Sequence, residues 1–511
     1  MSHRAWWSTA LVYLGCWVGV GYGAVLQGRP STMALGVALA FVPYAWFLHR
    51  FPVAESGPSG GLPPLLGRWA RRPARLACAL GVVLLTLPPL LSDDLYRYVW
   101  DGRVLAAGLD PYAHAPEAAA LAPLRDACFW LINHAELPTI YPPVAVLAFA
   151  CVAWLGPLGP KLLALLGLVL LVRAAPTLVP PAQRERVAFA VATNPLLLAE
   201  GPLHGHVDVL AAGCVVIALS SLGELAERPR GAPQRRHLLE LDRRRALRVW
   251  LFASLATGLK LVGLLLVPVI LASRARNVRL ALAVAATGAL LLVPVAHAGH
   301  ADRDGHSGLS HYARRWQGND GLYGALETAI AGRLVEHYGL RWGKLDLDPP
   351  PSALVVLERL GVDVREGLVG PKKEPPPREL LEPRVLARPL ARATVALLGL
   401  ILALSSLTFR APPALALRRL VLAALLLAPQ LHPWYLALLV PLEFVTMRAA
   451  GLGFAAAAYV AYAPHDAWLE GRVWHVDPAA PAALHVYVWA LIVVELVQHV
   501  RVRRRPRLHE R

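Results

Sequence analysis

The chain has 511 residues, 56% of them apolar and 17% charged. A soluble domain carries roughly 25% charged residues, so this composition excludes a disordered chain, a disulfide-stapled secreted scaffold and an ordinary cytosolic enzyme. The net charge of +17 comes from arginines gathered in short loops and at the C-terminus, as in the cytoplasmic loops of a membrane protein, and no nucleic-acid partner is expected. The cysteines Cys16, Cys78, Cys128, Cys151 and Cys214 are odd in number and none stands in a C-x-x-C pair, so neither a disulfide framework nor a zinc site is indicated.

In chain order, apolar runs occupy 9–26, 33–48, 74–91, 143–158, 162–179, 187–198, 207–222, 249–271, 278–298, 391–407, 414–431, 435–445, 452–463 and 482–500. A spanning helix needs about 20 mostly apolar residues. The pattern predicts an all-α, polytopic membrane protein of about twelve to fourteen helices. The first run passes into the second without a small-residue cleavage site, so it is expected to be a span and not a cleavable signal peptide.

Arginine sets the expected orientation. Arg50, Arg68, Arg71, Arg72 and Arg75 lie in 49–75; Arg235, Arg236 and Arg243 to Arg245 lie in 224–248; Arg501 and Arg503 to Arg505 form the tail. All three stretches are expected to be cytoplasmic. The segment 92–140 carries Asp93, Asp94, Asp101, Asp110, Glu117, Asp126 and Glu136 against Arg97, Arg103 and Arg125, and is expected outside, as is the Pro- and Gly-rich stretch 299–388. Three divisions follow: a membrane module 1–298 whose first outer loop 92–140 carries the chemistry, an outer loop region 299–390, and C-terminal helices with a basic tail in 391–511. Strict alternation from an outer 92–140 would also put 224–248 outside, so one run must be re-entrant or two must form a broken helix. The candidate breaks are Pro195, Gly201, Pro202 and Gly205 within 194–208, and Gly258 with Lys260 at the centre of 249–271. Irregular backbone at membrane depth survives only where it is buried in protein or lines a cavity, so a site is expected there.

The strongest chemical signal is Ser92-Asp93-Asp94-Leu95-Tyr96-Arg97-Tyr98-Val99-Trp100-Asp101-Gly102-Arg103, directly after an apolar run. At helical spacing Asp94, Arg97 and Asp101 share a face. Adjacent acids at a helix exit can hold a divalent cation such as Mg or Mn, with Asp93 and Asp94 as ligands, or one can serve as a general base. The plain alternative is a solvated helix end with local ion pairs. Glu200, His204, His206 and Asp208 surround the expected break, and read either as polar caps of a broken helix or as part of a site. A zinc site on His204, His206 and Asp208 lacks a close fourth ligand. Lys260 at bilayer depth costs about 2.5–3.5 kcal/mol on insertion scales. It therefore calls for either a function or a route to the interface. His432 and Tyr435 flank Pro433, and an interfacial aromatic belt is the plain alternative there.

The order D-D-x-Y-R-Y-x-W-D-G-R, then Gly108-Leu109-Asp110-Pro111-Tyr112, then Tyr141-Pro142-Pro143 resembles the GT-C class of integral-membrane glycosyltransferases. Within that class it is most similar to the polyprenol-phosphate-sugar-dependent mannosyltransferase-like group, glycosyltransferase family 87 and related bacterial α-mannosyltransferases. Asn194-Pro195-Leu196 followed by Glu200, Gly205, His206 and Asp208 is similar to an N-P-L…E…G-H-x-D element of that group, departing from it at Gly201-Pro202-Leu203-His204. Gly258-Leu259-Lys260 with Pro268 resembles its lysine-bearing helix, Tyr312 with Trp316-Gln317-Gly318-Asn319 its Y…W-x-x-N loop, and His432-Pro433-Trp434-Tyr435 its H-P-W-Y element. The resemblance implies a multi-pass enzyme of the bacterial plasma membrane with its reaction centre on the outer face. It implies a hexose, expectedly mannose, taken from a polyprenyl-phosphate carrier and delivered to a glycan or lipid acceptor of the cell envelope.

Inverting glycosyl transfer needs a base for the acceptor hydroxyl and an electrostatic partner for the departing phosphate. Asp94 is the first candidate base and Asp93 its competitor. Arg97, His206 and Lys260 are candidate partners for the phosphate. Asp101, Glu200, Asp208, His432 and Tyr435 complete the expected substrate-binding set. The competing reading is a transporter or flippase for a lipid-linked sugar, which would need charges along a path through the bilayer and repeated halves. No internal repeat is present, and an acidic cluster gathered at one face favours the enzyme.

Overall fold

The computed structural model describes residues 3–50, 72–223, 243–273, 277–297, 308, 312, 316–341, 344–346, 380–381, 383–408, 411–471, 477 and 479–504. Arg68, Arg71, Arg235, Arg236 and Arg505, and the proline-rich 347–351 and 371–377, lie outside the described residues.

The fold is helical, as the apolar runs predict. Among the described residues six helices are long and apolar enough to cross a membrane: Ala5–Gln27, Pro30–Arg50, Leu158–Leu178, Val278–Val295, Pro383–Ser405 and Ala479–Gln498. The pair Pro195–Leu203 and Asp208–Leu222, bent by 120°, makes a seventh if it is one span. Not every apolar run forms a helix long enough to span alone: among the described residues Pro73–Leu85, Pro143–Leu155, Leu261–Ala272 and Pro433–Thr446 are shorter apolar helices. Hydropathy registers apolar content and not backbone continuity. The run at 74–91 loses its helix after Leu85, just before Pro88 and Pro89, where the ring leaves no N–H for an i→i−4 bond. The run at 249–271 is cut at Lys260, whose extended backbone separates helix Arg243–Leu259 from the 3₁₀ turn Leu261–Leu265.

By contacts the chain forms two compact units. The first comprises Met1–Trp316, Ser405–Leu422 and His432–Arg511. In it, Leu158–Leu178 is 61% buried whereas Ala479–Gln498 is only 17% buried, so the former is an interior helix and the latter presents most of its surface outward. The acidic helix Asp94–Ala106 lies against Pro143–Val152. At Gly102 an added Cβ would fall 2.5 Å from the carbonyl carbon of Phe149, so only glycine allows that approach. Below it, Trp100, Val104, Leu121 and Phe129 form a buried cluster, with Leu109, Leu124 and Ile132 packed on it. This cluster ties the polar segment after Ala106 back to the helix that carries the acids.

The second unit comprises Gln317–Leu404 and Ala423–Leu431. It holds helix Leu322–Tyr338 and a small antiparallel sheet of Leu340–Arg341, Lys344–Asp346 and Leu380–Leu381. Buried Glu327 pairs with Arg388 at 3.3 Å. Gly318 and Leu431 are joined by a backbone bond of 2.9 Å. Asn319, in left-handed backbone at φ 54°, donates through Nδ2 to the Leu431 carbonyl at 3.2 Å.

Candidate active site

The acidic helix begins at Asp94, with Asp93 in the capping position. The Asp93 carboxylate makes no side-chain capping bond there, but both carboxylates lie at the positive end of the helix dipole. Asn133 Nδ2 donates to Oδ1 of Asp93 and to Oδ1 of Asp94, each at 2.8 Å. Asp93 is exposed and Asp94 half-buried. Asp93 is accessible but ringed by protein; this desolvation, with the Asp94 charge beside it, pushes the Asp93 carboxyl up to about 6.

Arg97 and Asp101 sit one and two turns further along and face into the protein. Arg97 Nε pairs with Asp101 Oδ1 at 2.9 Å, and both side chains are almost fully buried. The rest of the guanidinium donates to the carbonyls of Asn133 (3.5 Å), His134 (3.0 Å) and Leu137 (2.7 Å). Asp101 also accepts from the Thr139 hydroxyl. These two expected substrate ligands are therefore occupied in fastening the 133–139 segment to the helix.

The break expected at 194–208 is present. Asn194 caps the short helix Pro195–Leu198, accepting from Leu197 N–H at 3.1 Å, and Pro195 takes the first helical position. The chain then leaves helical geometry at Gly201 and takes a left-handed turn at Gly205, φ 75°. This break buries a polar set. Tyr459 donates its hydroxyl to Glu200 at 2.7 Å and Tyr462 does so at 3.2 Å. His206 Nε2 lies 3.4 Å from Glu200 Oε2, and Glu200 and His206 are fully buried. His204 is satisfied by the backbone: Nδ1–H donates to the Ala199 carbonyl at 2.7 Å and Nε2 accepts from Leu91 N–H at 3.3 Å. These partners assign the neutral tautomer. With both nitrogens engaged, His204 is part of the scaffold.

Asp208 opens the second half of the bent pair, and its Oδ2 lies 3.4 Å from Lys260 Nζ. The ammonium is also 5.1 Å from the centre of the Tyr141 ring, within cation–π range. Lys260 keeps 21% of its side chain accessible and Asp208 10%, so the pair borders open space.

The element His432-Pro433-Trp434-Tyr435 supplies one wall. Trp434 is stacked between two imidazoles, 4.0 Å from His206 and 4.2 Å from His432. Tyr435 and Tyr312 share a hydroxyl–hydroxyl bond of 2.6 Å. Tyr312 leans on Trp316, which meets the His134 ring at 4.3 Å. Asp94 lies within electrostatic reach of Asp208, Tyr312 and Tyr435. The structure thus brings together Asp93, Asp94, Glu200, His206, Asp208, Lys260, His432 and Tyr435. Sequence reasoning did not single out Asn133, nor Tyr459 and Tyr462, nor Trp434 as the slab between two histidines. The last lies inside a noted motif; the others carry no local signal.

As a resident divalent-cation site the acid pair fits poorly. Among the described residues no three His, Cys, Asp or Glu side chains cluster for a metal. The inner edge between the two carboxylates, where a bridging cation would sit, is served by the Asn133 amide.

Residues 17–276, about half of the chain, match the family described as Alpha-(1->6)-mannopyranosyltransferase, N-terminal domain. The chain belongs to the alpha-(1->6)-mannopyranosyltransferase family. This mannosyltransferase is a multi-pass membrane protein that acts on a sugar donor and an acceptor. Its matched region holds Asp93, Asp94, Glu200, His206, Asp208 and Lys260, while His432 and Tyr435 lie beyond it. No curated protein and no solved structure matches the chain.

Proposed function

We propose that this mannosyltransferase takes mannose from a polyprenyl-phosphate carrier and passes it, with inversion, to a glycan or lipid acceptor at the outer face of a bacterial plasma membrane. Asp94 is the base. It takes the proton of the acceptor hydroxyl as that oxygen bonds to the anomeric carbon. The bond from that carbon to the phosphate oxygen breaks, and the phosphate keeps the electron pair. An α product formed by inversion requires a donor whose anomeric phosphate is β. Lys260 meets the charge growing on the phosphate, an interaction stronger in the transition state than before it. Asp208 and the Tyr141 ring hold its ammonium ready. Tyr435 and His432, both half-buried, offer a hydroxyl and a ring edge to the sugar. No metal step is needed, because the leaving phosphate has a cation of its own.

The observation that carries this reading is one open-sided group: the half-buried carboxylate of Asp94 within electrostatic reach of the Asp208–Lys260 pair. The test is transfer in detergent from synthetic short-chain polyprenyl-phosphate sugars, with mannose, glucose and galactose side by side and a nucleotide-linked mannose as control. Transfer from the lipid-linked mannose alone supports the proposal; transfer from the nucleotide sugar overturns it.

A further inference from the structure

Asn133 lies outside the sequence motifs, yet its side-chain amide joins the two carboxylates at the centre of the site. Its Nδ2 donates one N–H to Asp93 and the other to Asp94, both at 2.8 Å. The two N–H bonds of a primary amide are fixed in one plane, so one side chain sets the separation and orientation of both carboxylates. It also offsets the repulsion of adjacent like charges.

The turn that delivers this amide is built from a distance. Arg97, anchored on Asp101, holds the carbonyls of Asn133, His134 and Leu137. His134 adopts left-handed backbone at φ 46°, a conformation that persists only when the surroundings impose it. Its ring is kept against Trp316 and its Nδ1 lies 3.2 Å from Glu136. Among the described residues the hydrogen bond to the Asp94 carboxylate falls on Oδ1, which leaves Oδ2 for a substrate hydroxyl.

We infer that Asn133 is a positioning residue for mannosyl transfer: its amide clamps Asp93 and Asp94 so that the free Oδ2 edge of Asp94 meets the acceptor. The inference rests on the assignment of Asp94 as base. Misplacement of a reacting group by about 1 Å costs on the order of a hundredfold in rate. Asn133→Ala is therefore expected to lower kcat by about 10- to 100-fold while KM for donor and acceptor stays within about twofold. Asn133→Gln, which keeps the amide one methylene further out, should recover part of the loss. If the amide acts through the acids, Asn133→Ala and Asp93→Asn combined should cost less than the product of their separate effects.

The experiment uses the full chain in detergent with short-chain polyprenyl-phosphate-mannose and a synthetic α-mannoside acceptor. An unchanged kcat in Asn133→Ala, a loss confined to KM, or strictly multiplicative effects would overturn the inference. If Asn133→Ala does not fold, Asn133→Gln is read by the same split between kcat and KM. Asp94→Asn on the same donor separates the two claims. If Asp94→Asn stays active, the base assignment falls; if it is inactive beside a fully active Asn133→Ala, only the clamp falls.

Discussion

Asp93 and Asp94 are adjacent in the chain and share the Asn133 amide, yet their surroundings separate them. Asp94 is half-buried and within electrostatic reach of Asp208, Tyr312 and Tyr435; Asp93 is exposed. Asp94→Asn preserves shape and removes the base, so turnover should fall at least about a hundredfold with thermal unfolding unchanged; near-normal turnover would move the base to Asp93. The raised Asp93 carboxyl, at about 6, has a consequence in pH. Below that value Asp93 is neutral, and above it Asp93 is charged. The acidic limb of kcat/KM should therefore fall off near pH 6, and in Asp93→Asn that limb should leave pH 6, because the carboxyl that titrates there is gone. A limb that stays in place in Asp93→Asn would separate Asp93 from the rate. At Lys260, substitution by Met keeps length and removes charge. It should lower kcat more than it raises the donor KM, and Lys260→Arg should rescue only partly, since a planar guanidinium does not replace a compact ammonium. Normal turnover of Lys260→Met at saturating donor would leave the lysine as an interfacial anchor.

The acidic helix Asp94–Ala106 has two working ends. Its N-terminus presents the acids, and its buried side carries Arg97 and Asp101, which hold the 133–139 segment in place. Arg97→Met would leave Asp101 buried and unpaired, a loss of about 3–5 kcal/mol for a broken buried pair. Its thermal midpoint should drop clearly, and kcat of the folded protein should fall as well, because the turn that carries Asn133 loses its fastening; a variant as stable as the parent would show that the pair is not structural. The bent element Pro195–Leu203 and Asp208–Leu222 works differently. Its turn buries Glu200 and His206 completely and leaves Asp208 only slightly accessible beside Lys260, so one local irregularity yields both a buried support and the carboxylate that pairs with the lysine.

At the scale of the molecule, ion pairs bind the later helices of the first unit. Arg418 holds Glu443 at 2.6 Å and Glu495 at 2.9 Å, and Arg448 reaches Glu495 at 3.5 Å. This ties helix Ala479–Arg504, whose apolar surface is mostly outward, into the unit at a defined register. The arginine-rich stretches predict the orientation in the bilayer. In a variant without native cysteines, single cysteines placed in 92–140 should react with an impermeant thiol reagent on intact cells, and cysteines beside Arg243 to Arg245 should not. Labelling of the latter would restore strict alternation of the spans and remove the need for a re-entrant segment.

The sequence by itself determined the helical class, the place of the acids after an apolar run, the break around Gly201 and Gly205, and the lysine at the cut in a helix. Each of these depends on residues within one or two turns of each other, where proline, glycine and charge act on their own backbone. Tertiary structure decided the rest. Glu200 meets Tyr459 across 259 positions of chain, Asn133 reaches the acids across 39 and 40, and Arg97 is turned from a candidate phosphate ligand into a fastener by carbonyls 36 to 40 residues away. Hydropathy likewise counted apolar runs but could not see which would be cut short, because a helix ends where backbone hydrogen bonds fail and not where side chains become polar. A hydrogen-bond donor carries no sign of its acceptor in the local sequence; only packing the helices brings the two within 3 Å and decides which charges face substrate and which hold the fold.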